Sequence, residues 1–78
     1  MRKKEWKFLI TFPTTTAAMK MEKRAKEAAL PGRLIPLPLT VSDGCGLAFC
    51  TDLAEKEKAE HFLEQQQLAF SRMLEVLL

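Results

Sequence analysis

Cys45 stands between two glycines in the run Ser42-Asp43-Gly44-Cys45-Gly46-Leu47-Ala48-Phe49. A thiol attacks, and carries groups, as its thiolate. Glycine neighbours leave it unshielded and let the backbone turn freely, and the apolar run after it reads as a strand. The pattern is that of a thiol displayed where a loop enters a strand. The competing reading is a buried strand residue whose glycines only shape the turn. Cys50 lies inside the apolar run and reads as a small buried apolar residue. There is no CxxC pair and His61 is the only histidine, so a structural zinc site lacks ligands and neither metal nor cofactor is expected. No paired carboxylates, phosphate loop or second catalytic group accompany Cys45, so an independent enzyme is not expected. His61, next to Phe62 on a helix, reads as solvent-facing.

The elements that must position Cys45 emerge from periodicity. Trp6 to Phe12 reads as a strand with Phe8, Ile10 and Phe12 on one face and Lys7, Leu9 and Thr11 on the other. Pro13 ends it, and Thr14-Thr15-Thr16 supplies hydroxyls for a helix N-cap. That helix runs to about Ala29, with Ala18, Met21, Ala25 and Ala28 along one side, and Leu30-Pro31-Gly32 stops it. Arg33 to Val41 is a strand carrying Pro36 and Pro38. Prolines two apart remove donors from the same side, so this must be an edge strand. Ser42-Asp43-Gly44 turns the chain into a strand from Cys45 to Thr51. Asp52 and Glu55 have the spacing of a capping box for a helix from about Leu53 to Gln66, with Ala59, Phe62 and Leu63 buried. Residues 68–78 are apolar enough for a last strand and could also be helical.

The order β-α-β-β-α-β points to an α+β, ferredoxin-like sandwich: a four-stranded antiparallel sheet of order 4-1-3-2 with two helices on one face. Strand 2 falls on an edge, as its prolines demand. The start of strand 3 then lies at the end of the sheet where strand 1 finishes and helix 1 begins. Cys45 is thus expected beside Phe12-Pro13-Thr14. Helix N-termini carry unpaired amides and partial positive charge, which lowers a thiol pKa. The amides at Thr14 and Thr15, with Gly44 and Gly46, could hold an anion. At about 3.3 Å per residue Cys45 and Cys50 would be about 17 Å apart and on opposite faces, too far for a disulfide.

Composition bounds the rest. With 78 residues, 47% of them apolar, the chain can bury one core and is near the lower limit for doing so. Residues 1–5 read as a disordered basic fray and 6–78 as one domain. Nothing approaches the roughly 20 apolar residues of a membrane span. Thr11 and Pro13 interrupt the apolar stretch after the basic start, so no signal peptide is expected and the protein is placed in the cytoplasm. There the two thiols are expected to be reduced. The net charge of +2 is mixed along the chain without a basic aromatic face, so a nucleic-acid partner is not expected.

Four segments, Lys7 to Phe12, Ala18 to Lys23, Leu30 to Pro38 and Ser42 to Ala48, together resemble the Se/S carrier protein-like family of small bacterial domains over residues 6–72. The most specific matches are the Pro-Gly-Arg-Leu-Ile-Pro block, Pro31 to Pro36, and the pair Cys45-Gly46. The resemblance implies a carrier that holds sulfur or selenium on Cys45 as a persulfide or selenopersulfide. Its partners would be a cysteine desulfurase-like donor and an acceptor enzyme. Two departures stand out: Pro13-Thr14-Thr15-Thr16 offers no histidine or other base where the family usually has a polar or histidine-bearing loop, and Gln65-Gln66-Gln67 replaces a usual glycine. The alternative is a regulatory or dimerisation module without thiol chemistry, with a homodimer formed through an open sheet face that exposes Leu9, Ala48 and Cys50.

Overall fold

The computed structural model describes residues 4–37 and 46–78. Strand β1 spans Trp6–Thr11, helix α1 Thr15–Glu27, β2 Arg33–Pro36, β3 Leu47–Asp52, helix α2 Lys56–Gln66 and β4 Met73–Leu77, with a short 3-10 turn, Leu53–Glu55, before α2. The four strands form one antiparallel sheet of order β2-β3-β1-β4. This is the expected 4-1-3-2 counted from the other edge, and the fold is the α+β ferredoxin-like sandwich. Among the described residues no helix is long and apolar enough to cross a membrane.

The core lies between the sheet and the helices. Phe8, Ile10 and Phe12 from β1 and its end meet Phe49 of β3, Ala18, Met21 and Ala25 of α1, and Ala59, Phe62 and Leu63 of α2. Leu47 and Leu53 pack against this cluster without full burial, and Leu68 closes it after α2. Ala28 is exposed at the C-cap of α1 instead of joining the buried side. Truncating Phe62, which keeps 9% of its surface exposed, is expected to cost about 3 kcal/mol, at the low end for a buried ring. Thermal unfolding of Phe62→Ala checks this, and an unchanged melting temperature would contradict the packing.

Several local expectations change. Glu5 is not frayed: its N–H donates to the Leu78 carbonyl at 2.7 Å, and the Leu78 N–H returns a bond of 2.9 Å. Asp52 makes no capping bond to the turn after it. Its carboxylate instead accepts from the Lys7 ammonium of the neighbouring strand. An ion pair with a cation directly across the sheet outcompetes the cap. The first turn of the expected helix is therefore 3-10, and α2 begins only at Lys56. The described part of strand 2 ends at Pro36, and Pro38 to Val41 lie outside the described residues.

Gln67 ends α2 in the left-handed conformation, at φ 52° and ψ 44°. This is the stretch where the resemblance would place a glycine. A non-glycine residue here is strained. Gln67→Gly is expected to stabilise the fold by about 0.5–1 kcal/mol, net of the entropy glycine adds to the unfolded chain. Denaturant midpoints of the two chains measure it, and a lower midpoint in the variant would refute it.

Candidate functional site

Cys45 and Gly44 lie outside the described residues. Their neighbour Gly46 is described. The Leu37 N–H donates to the Gly46 carbonyl at 2.9 Å, one step beyond the Pro36–Leu47 pair of the β2–β3 ladder. Gly46 is exposed and has φ 81°. A Cβ built there would meet nothing within 4 Å. Glycine is therefore required at this position by conformation and not by space.

The β1–β3 register pairs Thr11 with Ala48. That pair is the last of the ladder, and Pro13 follows two residues later. Thr14 comes next as the N-cap of α1. Its hydroxyl accepts from the Ala17 N–H at 3.1 Å and its carbonyl from Ala18 at 3.2 Å. The amides of Thr15 and Thr16 precede the first carbonyl acceptor of the helix. No acidic side chain occupies this first turn, so the positive end of the helix is uncompensated there. Thr14 and Thr15 follow the end of β1, and Gly46 precedes β3, whose Ala48 pairs with Thr11. The Thr14 hydroxyl oxygen, however, is already engaged by its own helix. Amides are what this end has to offer an anion.

The chain belongs to the family described as "Putative Se/S carrier protein-like". The model of that family matches residues 7–75. No curated protein matches the chain, and no solved structure does. Of the family's Pro-Gly-Arg-Leu-Ile-Pro block, Gly32 has a structural task here. It sits at φ 140°, and a Cβ on it would overlap the ring of Phe49 and lie 2.9 Å from the Cys50 carbonyl. Pro36 has another: Arg33 and Ile35 bond towards β3, so the Pro36 nitrogen faces outward at the sheet edge.

Cys50 is half-buried, not fully buried as expected of a small apolar residue, and it lies on the open face of the sheet, as the dimerisation reading had it, opposite Leu9 in the ladder with β1. It lines a groove of about 520 Å³ together with Lys7, Arg33, Ile35 and Leu78. Burial pushes the Cys50 thiol up, against the opposing pull of Lys7 and Arg33. Its alkylation is therefore expected to be slow at neutral pH and to rise only above the ordinary thiol range of about 8.5–9. Rates measured from about pH 5 to pH 10 test this, and a Cys50 that reacts fully at neutral pH would contradict it.

Leu9 and Ala48 do lie on the open face, but neither has any exposed surface. Cys50 and Leu74 flank Leu9, and Thr11 and Ile35 flank Ala48. His61 is exposed on α2, as expected. Sequence reasoning missed the groove, the Lys7–Asp52 pair and the fit of Gly32 beneath Phe49. The open-face groove was foreshadowed by Lys7, Leu9 and Thr11 alternating with the core residues. The other two depend on which strand lies beside which.

Proposed function

We propose that the protein is a chalcogen carrier that holds one sulfur or selenium atom on Cys45 and hands it from a donor to an acceptor enzyme. The family membership supports this reading, and the single observation that carries it is the bare, positive end of α1, whose Thr15 and Thr16 amides are unengaged by their own helix and which follows the end of β1 that pairs with β3 just after Gly46. A thiolate one peptide bond from Gly46 gains from that field.

The loading step is an exchange between sulfurs. The Cys45 thiolate attacks the outer sulfur of a persulfide on the donor. A sulfur–sulfur bond forms to Cys45 while the donor's own sulfur–sulfur bond breaks, and the donor cysteine leaves as a thiolate. No electrons are gained or lost overall, so no oxidant is needed. A selenium donor gives the selenopersulfide in the same way. Such a carrier requires no base of its own if its thiol is already ionised, which fits a loop of Pro13 and three threonines.

The test is mass spectrometry after incubation with a cysteine desulfurase and cysteine. The expected product carries one added sulfur, mapped to the peptide containing Cys45. Sulfur found on Cys50 alone, or on neither, would leave the interaction-module reading in its place.

A further inference from the structure

The sheet has two edges, and they are built differently. At β2 the outward-facing positions are Leu34 and Pro36, and the proline has no N–H to offer. At β4 there is no such guard. Leu78 exchanges both bonds with Glu5, so Val76 and Leu74 face β1 in the same phase. Met73, Glu75 and Leu77 therefore turn their N–H and C=O groups outward. Among the described residues nothing bonds them. No lysine or proline interrupts this strand, although such residues are the usual protection of an exposed edge.

The same edge gathers exposed apolar side chains. Trp6 is 56% exposed, Leu77 48%, Phe70 43% and Leu78 40%. Trp6 is the ladder partner of Leu77, and Phe70 precedes the strand. Of the large apolar side chains exposed among the described residues, Met19 alone lies elsewhere.

We infer that β4 is a self-association edge: two copies pair antiparallel along Met73–Leu77, about a two-fold axis at Glu75, to form a continuous eight-stranded sheet. This goes beyond the carrier reading and does not depend on it. Centring the axis on Glu75 sets Met73 against the partner's Leu77, and each such pair exchanges two backbone bonds. On the open face it sets Leu74 against the partner's Val76. The exposed Leu77 thereby joins a row running from Trp6 to the partner's Met73. Charges fit the same axis. The two Glu75 carboxylates would meet there, but each is already held by the Lys56 ammonium at 2.6 Å. The centre is an alternating quartet and not a bare like-charge pair.

A five-residue edge is about 17 Å long, so the interface belongs to the small class below about 1,200 Å². Sedimentation of the full chain between about 5 and 500 µM covers the affinity expected of it. The mass should climb from the 8.9 kDa of one chain towards twice that value. Glu75→Pro removes an outward N–H that β1 does not use, so it should keep the fold and weaken association at least tenfold. Glu75→Gln and the open-face variant Ile35→Glu should still associate. Should Glu75→Pro fail to fold, Leu77→Lys, on an already exposed side chain, gives the same reading. The proposal falls if the wild-type chain stays at 8.9 kDa throughout, if both edge variants associate like the wild type, or if Ile35→Glu alone disperses the dimer. Open-ended polymers would also overturn it, because a two-fold pairing closes.

Discussion

A Cys45→Ser chain is expected to acquire no sulfur from a cysteine desulfurase, while Cys50→Ser loads like the parent. The effect is all-or-none because the hydroxyl of serine forms no stable bond to sulfane sulfur. The two thiols also differ in setting. Cys50 sits half-buried on the open face, and burial holds it protonated. Cys45 adjoins Gly46 in sequence, and the carrier reading sets it in the field of the α1 N-terminus. The alkylation rates of the two single-thiol chains supply an independent readout. Cys45 should be modified at neutral pH, well below the range where Cys50 begins to react. A folded Cys45→Ser chain that still takes up one sulfur would end the carrier reading. So would equal alkylation profiles for the two thiols.

Gly32→Ala is the second large effect, and it acts on the fold. The backbone conformation there, φ 140°, is one that side-chain-bearing residues rarely adopt, at a cost of about 1–3 kcal/mol. The added Cβ also meets Phe49, whose ring has no exposed surface and so no room to withdraw. Overpacking adds about 1–3 kcal/mol. Together the expected loss is about 4 kcal/mol, a large share of the stability of a domain this small. At about 4–8 °C per kcal/mol, the melting temperature should fall by roughly 20 °C. A variant that melts within a few degrees of the parent would mean that the Pro31-Gly32 corner can move away from Phe49.

How much was legible depended on whether the deciding partner was near in sequence. The edge position of β2 was legible in Pro36 and Pro38, because a missing donor needs no knowledge of the neighbour. The buried side of α1 was legible in Ala18, Met21 and Ala25, since helical spacing is local. The Thr14 cap was legible for the same reason. Asp52 was misread because its choice lay between a cap three residues on and Lys7, 45 residues back in sequence. Only the register of β1 against β3 decides between them. Leu9 was expected to be exposed because nothing covers that face of the sheet in the topology; its burial comes from the strands on either side. For β4, Glu75 and the exposed Leu77 share a face with Met73, so the alternation that marks a strand is blurred. The region around Cys45 was the part of the site the sequence marked most strongly, and the structure describes its Gly46 side.

The placing of β1 at the centre of the sheet has a consequence for how the protein is made. Its two neighbours are β3, residues 47–52, and β4, residues 73–77. A chain emerging from the ribosome presents β1 before either neighbour, and β4, which seals its outer side, after β3. At about 5–20 residues per second, several seconds separate β1 from β4. Within that time α1, β2 and then β3 can dock, but the β4 side of β1 remains an unsatisfied template of the kind that recruits foreign strands. Strand pairing across nearly the whole chain is also slow to form. Synthesis speed over the codons between β3 and β4, and the availability of holding chaperones, should therefore affect the yield of this protein.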